Sequence, residues 1–133
     1  MKRIICNNLS KNIIYTILKE INTKVYAIYI FGSYGTKYER EDSDVDIAVI
    51  TDNKVSISNR YKLKNSLDSI LNKTVDLSVI YDYNSNLMMN ILSNGYLIYE
   101  SDDYNILFDQ IYEDLTFDFY FMNTYMEEIN KYV

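Results

Sequence analysis

Two apolar runs, Val25-Tyr-Ala-Ile-Tyr-Ile-Phe31 and Asp44-Val-Asp-Ile-Ala-Val-Ile50, flank the polar stretch Gly32-Ser-Tyr-Gly-Thr-Lys-Tyr-Glu-Arg-Glu-Asp-Ser43. Both runs have the length and the residue types of strands in a buried sheet, the first reaching back to Lys24 and the second on to Thr51. A Gly-Ser pair closes the first strand and an Asp-x-Asp pair opens the second. The sequence therefore sets a small turn and two carboxylates at one rim of a sheet.

Outward from this core, helices alternate with strands. Leu9, Ile13, Ile17, Leu18 and Ile21 recur at helical spacing, which predicts an amphipathic helix over 7–22. Residues 33–40 read as a short helical turn. Ser56 or Ser58 caps a second helix carrying Tyr61, Leu67, Ile70 and Leu71 on one face. Thr74 to Ile80 is a third strand, Asn84 to Asn94 a helix ending at Gly95, and Tyr96 to Tyr99 an edge strand. Asp102 or Asp103 starts a long final helix that runs to about Lys131. The pattern is α/β: a small mixed β-sheet flanked by helices, with a long C-terminal helix.

Topology follows from which rims must meet. Gly32 and Ser33 end strand one, whereas Asp44 and Asp46 begin strand two, so a shared site requires those strands to be antiparallel neighbours. Asp76 lies near the start of strand three and joins them only if that strand runs parallel to strand two, across a right-handed helical crossover.

Alternation along strand two puts Asp44 and Asp46 on one face, with Val45 and Ile47 on the other. Three ionised carboxylates gathered at a largely dry rim repel one another, and a divalent cation relieves that repulsion. Solvated aspartates at strand ends are the ordinary alternative for each taken singly. Gly32 lets backbone N–H groups approach a phosphate, and Ser33 adds a hydroxyl. Lys37 and Arg40 either supply charge to a triphosphate or stand solvated on an exposed turn.

Composition narrows the chemistry. The chain has 133 residues, 48% of them hydrophobic, enough for one core, and residues 1–133 read as a single domain. A net charge of −6 disfavours general nucleic-acid binding, where cations must neutralise phosphates. Histidine is absent, which excludes a Ser-His-Asp triad and a Cys/His zinc site, and Cys6 alone cannot form a disulfide within the chain. No apolar run is long enough to span a bilayer or to serve as a signal peptide, so the expected location is cytoplasmic.

Gly-Ser, ten residues, Asp-x-Asp and a further Asp in the next strand resemble the DNA polymerase β-like nucleotidyltransferase superfamily. Within it the chain looks most like the minimal nucleotidyltransferases, the MNT antitoxins of HEPN–MNT toxin–antitoxin pairs. The resemblance implies transfer of AMP from ATP to an acceptor hydroxyl. It makes Asp44 and Asp46 ligands of two Mg²⁺ ions, and Asp76 a ligand of the ion that activates the acceptor. Gly32 and Ser33 would contact the triphosphate. The family often has Ala-Arg-Gly after Gly-Ser-Tyr; here Gly35-Thr36-Lys37 follows instead.

Only a long helix follows the nucleotidyltransferase core, so a partner macromolecule is the expected carrier of the acceptor. That helix has a stripe of Tyr104, Phe108, Ile111, Leu115, Phe119, Met122, Met126 and Ile129, with Tyr112, Phe117, Tyr120, Phe121 and Tyr125 spreading beyond it. An apolar surface wider than one stripe suits docking of a partner as well as packing on the sheet. The expected function is an antitoxin that adenylylates a tyrosine of a HEPN ribonuclease toxin in a hetero-oligomer. The alternatives are an antitoxin acting by binding alone and a small-molecule nucleotidyltransferase completed by homodimerisation.

Overall fold

The computed structural model describes residues 8–32, 44–83 and 85–130, with backbone only at 8, 118–126 and 128–130. Its elements in chain order are α1 (Asn8–Glu20), β1 (Val25–Phe31), β2 (Val45–Thr51), α2 (Ile57–Leu71), β3 (Val75–Ile80), α3 (Asn86–Asn94), β4 (Tyr96–Glu100) and α4 (Tyr104–Asn130). The helical turn expected at 33–40 lies outside the described residues.

The four strands form one sheet in the order β3-β2-β1-β4. β1 is antiparallel to β2 and to β4, whereas β2 and β3 are parallel. This is the mixed sheet that the shared rim demanded. The central strands β1 and β2 are covered on both faces, which is why they read as almost unbroken apolar runs. On one face Ile28, Ile30, Ile47, Val49 and Val75 pack with Ile13 and Ile17 of α1 and Leu63 and Leu67 of α2. On the other, Ala27, Tyr29, Ala48, Ile50 and Ile80 pack with Met88 and Ile91 of α3 and Tyr104, Ile111 and Leu115 of α4. The Tyr29 and Tyr104 hydroxyls meet there at 2.8 Å, which satisfies two phenols inside the core. An ion pair between Lys24 and Asp103 ties the entry of β1 to the start of α4.

Local chemistry sets the helix ends. Ser56 rather than Ser58 caps α2, its Oγ accepting from the Asn59 N–H at 3.1 Å, and Asn72 closes that helix in the left-handed conformation at φ 51°. Ser85 caps α3, and Asn84, the expected first residue, lies outside the described residues. Gly95 does end α3, donating to the Ile91 carbonyl at 2.7 Å, yet its backbone is extended. Its requirement is space, since a Cβ there would stand 2.5 Å from the Ile91 oxygen and 3.2 Å from Tyr29 Cδ1. α4 begins at Tyr104, just after the two aspartates expected to start it.

Two expected helix faces are corrected. In α2 the buried pair is Leu63 and Leu67, whereas Tyr61 is 67% and Ile70 37% exposed. At 3.6 residues per turn Tyr61 lies about 160° around the helix from Leu63, so both cannot face the sheet. Ile13 and Ile17 of α1, and Ile21 just past its end, are buried in a row, and Leu18 is left on the exposed flank. No helix among the described residues is long and apolar enough to cross a membrane.

Leu67→Ala should lower the unfolding free energy by about 2–5 kcal/mol, through lost burial and the cavity left behind. Tyr61→Ala should change it by no more than about 0.5 kcal/mol. Urea denaturation of the two variants checks this assignment of the α2 face.

Candidate active site

The rim of interest is assembled by strand direction. β1 ends where β2 begins because the two are antiparallel; β3 begins beside β2 because those are parallel. In register, Phe31 stands opposite Asp46, and Asp46 opposite Asp76. Cross-strand partners share a face, so Phe31, Asp46 and Asp76 form one row on the face covered further along by α3 and α4. Asp46 thus has an aromatic neighbour on one side and a like charge on the other.

That setting governs its protonation. Burial, then the charges of Asp76 and Asp44, then a hydrogen bond with the Asp76 carboxyl, hold the Asp46 proton above the usual carboxylate range. Asp46 is partly buried; Asp44 and Asp76 are exposed. Each of the three expected carboxylates therefore acts on the same spot, though Asp44 does so through its charge.

Gly32 closes this spot from the β1 side. It adopts φ +79°, and a Cβ there would collide with Asp46 Oδ2 and lie 3.2 Å from Asp46 Cγ. A residue with a side chain would be strained by its backbone and would displace the carboxylate. The sequence pointed to Gly32 for close approach to a phosphate; the close approach in the described structure is to Asp46. The other turn residues expected at the site, Ser33, Lys37 and Arg40, lie outside the described residues. Phe31, whose register position beside Asp46 supplies an apolar neighbour, read only as the last residue of an apolar run.

The donors available are carboxylate oxygens, which suit a hard cation such as Mg²⁺ or Mn²⁺. The repulsion between Asp46 and Asp76, and the burial that raises the pKa of Asp46, are what such a cation would offset. Among the described residues no group of three His, Cys, Asp or Glu side chains is gathered as a metal cluster. The close pair is Asp46 with Asp76. A cavity of about 330 Å³ lined by Asp82, Tyr83, Leu107, Gln110, Ile111, Asp114 and Leu115 opens at the opposite ends of the strands, away from this rim.

Known proteins are similar to this chain in sequence and in fold. The family model for "Polymerase beta, Nucleotidyltransferase" matches residues 11–104, from α1 through the four strands to the start of α4. The chain is 31% identical over 87 residues to the protein adenylyltransferase MntA of Shewanella oneidensis, a match spanning 65% of this chain and 63% of that protein, less than two thirds of the relative's length. In fold, it is similar to a chain in the crystal structure of a toxin–antitoxin with AMP-PNP, with a TM-score of 0.73 and 22% identity over 90% of this chain and 97% of the other. It is likewise similar to a chain in the complex of tri-AMPylated Shewanella oneidensis HEPN toxin with MNT antitoxin, with a TM-score of 0.65 and 22% identity over 92% and 94% of the two chains. The mixed sheet with carboxylates across the starts of β2 and β3, and a family match over most of the chain, lead to one statement: the chain belongs to the polymerase beta nucleotidyltransferase family.

Proposed function

We propose that this protein transfers AMP from ATP to a tyrosine hydroxyl of a HEPN-type toxin and silences it, as the antitoxin of a pair acting in the cytoplasm. The observation that carries this reading is the in-register pair Asp46 and Asp76, with Gly32 packed beneath the Asp46 carboxylate. Family membership supports the reaction class, and the likeness to a protein adenylyltransferase supports the acceptor class.

In this reading Asp44, Asp46 and Asp76 hold Mg²⁺. Bound there, the cation supplies charge neutralisation for the triphosphate and lowers the pKa of the attacking hydroxyl. Asp76, exposed at the rim, takes the tyrosine proton as the phenolic oxygen bonds to the α-phosphorus. The bond from that phosphorus to the bridging oxygen breaks, and pyrophosphate leaves. By the family resemblance Gly32 and Ser33 would contact the triphosphate, and Lys37 and Arg40 would add charge. No histidine is needed, because positioning and electrostatics supply the catalysis. α4 offers the docking face, where Tyr112 is 51% and Phe117 64% exposed, consistent with aromatic anchors in a protein interface.

A second reading, neutralisation by binding alone, is favoured by one feature: the described carboxylates are not gathered into a three-ligand cluster. The double variant Asp44→Asn, Asp46→Asn separates the two. A catalytic antitoxin so altered folds and binds yet no longer protects cells, whereas an occluding one still protects.

Given α-labelled ATP, Mg²⁺ and the folded toxin, the wild-type protein should label a toxin tyrosine. Asp46→Asn and Asp76→Asn should each slow labelling at least about a hundredfold. Absence of label on a toxin that binds normally would defeat the proposal.

Stability should respond to pH and metal with a definite sign. The folded-state pKa of Asp46 is raised, so the folded protein binds that proton more tightly than the unfolded chain does. This contribution favours folding at acid pH and is lost as pH rises through the folded pKa. In EDTA, Asp46→Asn should therefore melt higher than wild type at neutral pH, and the difference should shrink toward about pH 4. Mg²⁺ should raise the wild-type melting point, by about 1.4 kcal/mol of stability at ten times its Kd, and leave the variant nearly unmoved. Thermal melts across pH, with and without Mg²⁺, measure both effects.

A further inference from the structure

Asp76 reaches the rim only if β3 starts in the correct place, and that start has a support of its own. β3 is an edge strand, paired with β2 on one side alone. On that inner side the Val45 N–H donates to the Thr74 carbonyl at 2.9 Å, so the backbone of residue 74 faces β2. Backbone groups alternate along a strand, so those of Val75 face away from β2 and those of Asp76 face toward it. The Val75 N–H is thus left without a ladder partner, on a fully buried residue.

Asp68, in the last turn of α2, supplies the missing acceptor. Its Oδ1 accepts from the Val75 N–H at 2.7 Å, and its Oδ2 accepts from Lys64 Nζ, one turn back on the helix, at 2.8 Å. Both carboxylate oxygens are engaged, by charge-assisted bonds that hold the side chain in one orientation. Asn72, left-handed at φ 51°, reverses the chain between α2 and β3 and brings Val75 back to Asp68. A carboxylate in the last turn of a helix opposes the helix dipole, and that turn holds no basic residue to offset it. The bond to Val75 is what the position gains in return.

We infer that Asp68 is a positioning residue for Asp76. By holding the Val75 N–H from the outer edge, while β2 holds residue 74 from the inner one, it fixes the start of β3 so that Asp76 stays opposite Asp46. Its catalytic meaning rests on the adenylyl-transfer reading, in which Asp76 takes the acceptor proton. In that role Asp68 acts through one backbone bond and has no need to touch nucleotide or acceptor.

The test compares Asp68→Ala with Asp68→Asn, which keeps an oxygen acceptor, and with Ile13→Val, a core change on α1. In the first measurement Mn²⁺ is titrated into the full chain, and NMR follows broadening of the Asp46 and Asp76 amides together with exchange of the Val75 amide. Asp68→Ala should speed Val75 exchange about tenfold or more and reduce the Asp76 broadening relative to that of Asp46. Asp68→Asn and Ile13→Val should keep the wild-type ratio. In the second, kinetics of toxin adenylylation are measured. The kcat of Asp68→Ala should fall about tenfold with KM for ATP nearly unchanged, and Asp68→Asn should return to within about threefold of wild type. Asp68→Glu keeps the charge but carries the acceptor one methylene too far; it should shift the ratio as Asp68→Ala does, and it decides the matter if Asp68→Ala does not fold. A wild-type broadening ratio in Asp68→Ala or Asp68→Glu would overturn the inference, as would an equal loss of kcat in Ile13→Val. Wild-type protein that labels no toxin yet shows the expected Mn²⁺ pattern would defeat the adenylyl-transfer reading and leave the positioning role standing.

Discussion

Two carboxylates face each other across a parallel ladder at the start of β2 and β3, and the rest of the molecule is arranged around that repulsion. Asp46 and Asp76 are direct cross-strand partners, a placement that destabilises a sheet when both are charged. The sheet tolerates the pair because the strands on either side are anchored by apolar burial on both faces. Val45, Ile47 and Val49 pack toward α1 and α2 while Ala48 and Ile50 pack toward α3 and α4. The strain at the rim is therefore local, and a bound cation is its natural relief.

Gly32 and Phe31 turn this pair into a shaped site. Phe31 lies beside Asp46 and Gly32 lies beneath its carboxylate, so Asp46 is desolvated and sterically confined while Asp76 remains open to solvent. Two aspartates one strand apart are thereby made chemically unlike. In the proposed reaction the first would be held in place to bind, and the second would be free to meet an incoming hydroxyl. Such divergence between neighbouring carboxylates is how environment assigns separate roles to identical side chains.

At the opposite ends of the same strands, Lys54 and Arg60 line a polar cavity of about 260 Å³ with Val55, Val79 and Tyr81. The sheet thus separates an acidic rim on one face from a basic cavity on the other. In a small domain of net negative charge, this polarity is a directed feature of the surface potential.

Much of this was legible before any coordinates. Strand and helix identity followed from periods of two and 3.6, which are local properties; the β1–β2 antiparallel pairing followed from putting Gly32 and Ser33 beside Asp44 and Asp46, and the β2–β3 parallel pairing from bringing Asp76 to the same rim. Other features depend on distances between residues far apart in sequence. Tyr61 reads as an inward residue of α2 until packing on the sheet buries Leu63 and Leu67 instead. Gly95 reads simply as the residue that ends a helix until Tyr29 and the Ile91 carbonyl are found to crowd it. The amino-acid order by itself determined the elements, the pairing of β2 with β1 and β3, and the acidic residues at the strand starts, because these follow from short-range spacing and a single topological constraint; the antiparallel docking of β4 on β1 came only with the fold. Only the tertiary structure decided that the pKa of Asp46 is raised and that Gly32 must lack a side chain, because burial and charge proximity exist only once the chain is packed.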